Sequence, residues 1–146
     1  MNKLLKGLVF TGGLALGLVT LLSTNNPDFP KLDNKRGLLP KSTTLSFNSR
    51  QKDLNEIAVE LKEKHSLGGF TSEREIRFIY ADKNRLHETE VLATARYEGN
   101  EWKIKENPNT AYANWNPQGM QKLNSALANH SLPNNIWNEA YNRLNH

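Results

Sequence analysis

The raw material for chemistry in this 146-residue chain is four histidines, fifteen carboxylates and no cysteine. His87-Glu88-Thr89-Glu90 opens like a helical zinc-protease motif, which needs a second histidine four residues after the first. Position 91 is Val. On a strand, His87 and Glu88 would also point to opposite faces. His65, His130 and His146 stand alone. The carboxylates alternate with cations, as in Lys62-Glu63-Lys64 and Glu73-Arg74-Glu75, the pattern of solvated surface charge. No Gly-x-Ser-x-Gly, phosphate loop or dinucleotide fingerprint occurs. The lack of cysteine excludes a thiol nucleophile, a thiolate zinc site, a disulfide scaffold and a lipid anchor on an N-terminal Cys. The expectation is therefore no catalytic residue, no metal and no cofactor.

The aromatic residues point to recognition instead. From Asn107 to His146 the only charged residues are Lys122, Glu139 and Arg143. Tyr112, Trp115, Trp137 and Tyr141 lie in this amide-rich stretch. Rings beside Asn side chains suit a glycan or a protein partner, because aromatics dominate recognition patches. Tyr112, Asn114, Trp115 and Trp137 are the expected binding residues. The competing reading makes Trp137 and Tyr141 core and lets Trp115 pin its loop.

The N-terminus resembles a secretory signal sequence: Lys3 and Lys6 precede an uncharged, largely apolar run. The resemblance implies export. Residues 1–27 are then either a cleaved signal peptide or a retained anchor. Cleavage after Ser23 or Thr24 would put Leu21 or Leu22 at −3, where a small residue belongs. Residues 4–22 instead match the length of a bilayer span, so a retained membrane helix is favoured, with secretion after cleavage as the alternative. Gly13-x-x-x-Gly17 would let a second helix approach closely. Lys3 and Lys6 favour a cytoplasmic N-terminus, while Lys31, Lys35, Arg36 and Lys41 pull the other way. An exported C-terminal domain is the preferred orientation.

The elements that must position the aromatics can be read from periodicity. Residues 28–49 read as a flexible basic linker holding Pro30, Gly37 and Pro40, with a short strand from Thr43 to Phe47 as one option within it. Residues 50–146 read as a small α+β domain. Leu54, Ile57, Ala58 and Leu61 fall on one stripe, which predicts a helix over Arg50 to His65, ended by Gly68-Gly69. Glu75 to Ala81 alternates, with Ile76, Phe78 and Tyr80 on one face. Residues 88–106 read as a hairpin about Gly99-Asn100, with Val91, Ala93, Ala95 and Tyr97 inward. Its stretch Ala95 to Ile104 resembles hairpins in many small exported α+β domains, cystatin-like ones among them. Asn107 to Asn116 reads as a loop. Two helices come next, one opening at Pro117 with Asn116 as its cap and one over Asn135 to Leu144. The expected fold is thus an N-terminal signal or membrane helix, one helix, a three- to four-stranded antiparallel sheet and two C-terminal helices.

The chain carries a net charge of +4, of which Lys3 and Lys6 supply two. What remains is too balanced for nucleic acid. The functional expectation is a membrane-anchored binding module of the cell envelope with a protein or glycan partner. The alternatives are an envelope-polymer hydrolase and a single-span accessory subunit of a larger membrane complex.

Overall fold

The computed structural model describes residues 30–47, 56–69, 71–82 and 85–146. Among the described residues six strands come first: β1 (Pro30–Arg36), β2 (Ser42–Phe47), β3 (Glu56–His65), β4 (Thr71–Asp82), β5 (Arg85–Glu98) and β6 (Glu101–Glu106). They pair in chain order as one curled antiparallel sheet. Three helices complete the chain: α1 (Ala111–Trp115), α2 (Pro117–Leu127) and α3 (Leu132–Asn145).

This corrects the expected architecture. The sheet has six strands among the described residues, not three or four, and it opens at Pro30. The stretch read as a linker supplies β1 and β2. The expected helix over Arg50 to His65 is strand β3 from Glu56 onward, and its first residues lie outside the described ones. The expected N-terminal helix over residues 4–22, with Gly13 and Gly17, also lies outside the described residues. Among the described residues no helix is long and apolar enough to cross a membrane.

Strand β3 shows why the helical reading fails. Ile57, Val59 and Leu61 alternate, and Val59 would fall off the apolar stripe of a helix. In the sheet all three join cross-strand rows. Leu45 pairs Ile57, Val59 pairs Phe78, and Leu61 pairs Ile76, which in turn pairs Ala95. Phe78 pairs Ala93, and Ala95 pairs Ile104. These residues build a single core with Tyr112, Leu123, Leu127, Ile136, Trp137 and Ala140 from the helices. Gly68 and Gly69 do adopt positive φ, of 99° and 85°. They turn the β3–β4 hairpin rather than end a helix.

The β5–β6 hairpin turns on Gly99 and Asn100, both at positive φ (60° and 66°), as a two-residue type I′ connection requires. Strand β5 also carries an irregularity. Phe78 pairs Ala93 but Ile79 pairs Val91, so Leu92 is an extra residue, a β-bulge. The bulge buries Leu92 as well as Ala93 and reverses the alternation beyond it. Asn107 closes the disturbed ladder: its N–H donates to Leu92 O (2.9 Å) and its Nδ2 to Val91 O (3.1 Å). Beyond the bulge Glu90, not Val91, shares a face with its pair Tyr80.

The opposite face of the sheet is polar around a charged lattice. Glu75 meets Arg77 (2.7 Å) and Arg96 (3.1 Å), and Arg77 reaches Glu60 (3.6 Å). Burial alone would raise the Glu75 pKa, but hydrogen bonds from Arg77 and Arg96 outweigh it and hold the carboxyl below its usual value.

Candidate functional site

Two aromatic clusters mark the ends of the helix-facing row of β4, which runs through Arg74, Ile76, Phe78 and Tyr80. At about 3.3 Å per residue these ends are roughly 20 Å apart.

At the first end, α1 lays Tyr112 and Trp115 against Tyr80. Ring centroids are 4.7 Å apart for Tyr80–Tyr112, 5.6 Å for Tyr80–Trp115 and 5.2 Å for Tyr112–Trp115. A five-residue helix has little stability of its own, and three side chains hold this one. The Glu90 carboxylate accepts the N–H groups of Ala111 (2.7 Å) and Tyr112 (3.0 Å). Thr110 Oγ1 caps Ala113 N–H (3.1 Å). Asn116 donates to the Tyr112 hydroxyl (3.1 Å) while its Oδ1 caps α2 at Gly119 N–H (3.0 Å). A Cβ at Gly119 would collide with the Asn116 amide and the Tyr112 hydroxyl, so glycine is required there.

This mounting divides the expected binding residues. Tyr112 is 1% exposed and its hydroxyl pKa is pushed up to about 12, chiefly by burial. Trp115 is 50% exposed, and Asn114 beside it is exposed as well. Tyr112 thus supports the ring that Trp115 presents. Tyr80 and Glu90 belong to this end too. Sequence reading missed Glu90 because strict alternation places it on the outer face, and only the bulge at Leu92 turns it inward.

At the second end, Trp137 is 4% exposed. Its ring lies 5.9 Å from Trp102, which in turn meets Tyr97 edge-on at 5.1 Å. Trp102 Nε1 donates to Asn134 Oδ1. Arg74 stands over the Trp137 ring, 5.2 Å from its centroid, an attractive cation–π geometry. Tyr141 stacks on Trp137 at 6.2 Å and 22°, and is itself 43% exposed. Trp137 therefore supports Tyr141, as Tyr112 supports Trp115.

A cleft of about 540 Å³ opens beside Tyr141, between the last turns of α3 and the outer half of the β3–β4 hairpin. Leu61, Trp137, Tyr141 and Leu144 form its apolar wall. Lys41, Lys62, Glu63, His65 and Glu73 contribute its polar rim. Glu63 is engaged by Arg74 (3.3 Å) and His65 (3.1 Å), and Glu73 by Lys64 (4.0 Å). Such an arrangement can bind a small amphipathic ligand. Among the described residues no three metal-capable side chains converge.

A scan against protein-family models and searches of curated proteins and of solved structures each find no match.

Proposed function

We propose that this chain is a small envelope protein, held to a membrane through residues 4–22, whose exported domain is a binding module. Its partner is a protein that docks over Trp115. The observation that carries this reading is the mounting of Trp115: a half-exposed indole on two tyrosine rings, on a helix whose first N–H groups are fixed by Glu90. A rigid aromatic gives up little side-chain entropy on binding and offers both apolar area and an N–H donor. The surrounding segment from Asn107 to Gln121 carries no charge, which lowers the cost of desolvating the patch.

The test uses the full-length chain solubilised from membranes in detergent. A partner is expected to co-purify with the parent and to be lost with Trp115→Ala, while that variant still unfolds cooperatively. Hot-spot truncation costs about 2 kcal/mol or more of binding, roughly thirtyfold. Retention of the same partner at parental affinity by the variant would defeat the reading. The anchor has its own check, the intact mass of membrane-purified protein. A chain starting between Ser23 and Asp28 would make the protein freely secreted.

A further inference from the structure

We infer that the cleft beside Tyr141 binds an acidic sugar, whose ring stacks on the free face of Tyr141 and whose anionic group is met by Lys41. This site lies at the other end of β4 from Trp115 and does not depend on the partner proposed there.

Three observations converge on it. The first is the stacking platform. One face of the Tyr141 ring is backed by Trp137, which Arg74 and Trp102 hold in turn. A ring fixed from behind and open in front offers its electron-rich face to the C–H-lined face of a pyranose. At about 540 Å³ the cleft falls within the usual size of small-molecule sites, roughly 300–1,000 Å³.

The second is charge. Each carboxylate along the cleft already faces a cation: Glu63 meets Arg74, Glu73 meets Lys64, and Glu75 is held by Arg77 and Arg96 on the opposite face. Among the described residues Lys41 has no ion-pair partner, while Lys62 lies in the opposite-face row with Glu75, Arg96 and Lys103. The rim is therefore left with positive charge. A carboxylate or phosphate on the sugar complements it, whereas a neutral sugar leaves it unmatched.

The third is the backbone of Lys41, which has φ of 53°. Leu39 to Ser42 form a tight turn with Pro40 at its second position and Lys41 at its third. Ser42 N–H donates to Leu39 O (3.3 Å). The buried Ser42 hydroxyl donates to the same oxygen (2.6 Å) and accepts from Leu39 N–H (3.2 Å). Proline followed by a positive φ is the type II pattern, which favours glycine where Lys41 stands. A lysine in that conformation is strained, and strain that the surroundings enforce gathers at binding sites. Here the turn places Lys41 at the rim of the cleft.

The experiment is calorimetric titration of the full-length chain in detergent. The probes are galacturonic acid tetramer, glucose 6-phosphate, cellotetraose and poly-glutamate. Binding of either acidic sugar at least tenfold tighter than cellotetraose is expected, and the stronger of the two identifies the anionic group. Tyr141→Ala should weaken that binding at least tenfold. Lys41→Gly should weaken it three- to tenfold while melting at or above the parent temperature, because glycine relieves the positive φ. Lys103→Gln, on the opposite face of the sheet, should leave affinity unchanged. The inference is overturned if neither acidic sugar binds, if poly-glutamate binds as tightly, or if Tyr141→Ala and Lys41→Gly retain parental affinity.

Discussion

The two ends of β4 use the same kinds of ring in different ways. At the α1 end, two of the three rings are three positions apart in the chain, and a single strand residue, Tyr80, completes the group. Its polar fixings, Glu90, Thr110 and Asn116, all act on α1 or its caps. At the α3 end, Tyr97 and Trp102 come from the β5–β6 hairpin and Trp137 from the last helix. That cluster ties the sheet to the helix layer, and Asn134 and Arg74 reinforce the tie. The first end is a local mount for one exposed ring, and the second is a joint on which the fold rests. Loosening the mount should free Trp115 without unfolding the protein. Loosening the joint should unfold it.

Trp102→Ala is the severest test of that difference. Removing a buried Trp costs about 3–5 kcal/mol, against about 5–15 kcal/mol for a whole domain. It also leaves the Asn134 side chain without its indole donor. The melting temperature should fall by about 10 °C or more, by circular dichroism of the full-length chain in detergent. A fall of only a few degrees would mean that the sheet and helices are joined elsewhere, and the contrast between the ends would collapse.

How much of this was legible in the sequence also differs between the ends. The hairpin at Gly99-Asn100 and the cap at Asn116-Pro117 were readable because local chemistry decides them: positive φ at both turn residues, an amide cap, and a proline at the first helical position. Strand β3 was not. Its Glu and Lys residues have good helix propensity, and Leu54, Ile57, Ala58 and Leu61 fit a helical stripe. What decides it is pairing with β2 on one side and β4 on the other, a tertiary effect that overrides propensity. Strand β1 hides for a related reason. Asp33, Asn34 and Lys35 are poor strand formers, but an edge strand beginning at proline tolerates them. Of the expected binding residues, Trp115 and Asn114 are at the surface, while Tyr112 and Trp137 lie beneath exposed partners. Aromatic content marked both regions; which ring faces solvent depends on contacts far apart in sequence. The roles of Glu90 and Lys41 rest on a bulge and a turn conformation that no local pattern announced.

Trp115→Ala should have an intermediate effect on stability, about 2 kcal/mol, since roughly half of a large ring is already in water. Trp102 and Trp137 are buried, so quenching by acrylamide in the parent should act mainly on Trp115 and vanish in this variant. Persistent strong quenching would show that a tryptophan at the α3 end is open to solvent, and the assignment of mount and joint would have to be exchanged.

The gentlest test is Tyr112→Phe, which removes one hydroxyl and keeps the ring stack. Near neutral pH it should cost about 1 kcal/mol, the value of the lost hydrogen bond from Asn116. Alkali makes the effect specific. Burial pushes the folded-state pKa of Tyr112 up to about 12, while an unfolded tyrosine ionises near 10. Between those values the unfolded chain gives up this proton and the folded chain keeps it. The stabilisation is complete below about pH 10 and is lost as pH rises through about 12. One proton gives a slope approaching 1.4 kcal/mol per pH unit, roughly. Tyr80, raised in the same direction by burial and by the nearby Asp82 and Glu90 carboxylates, adds to it. Denaturant melts of the parent from pH 9 to 12 should show this decline, and Tyr112→Phe should flatten it to the part that Tyr80 carries. Parallel curves for the two proteins would mean that the Tyr112 hydroxyl already reaches water. Trp115 would then lack the closed base that sets the α1 end apart.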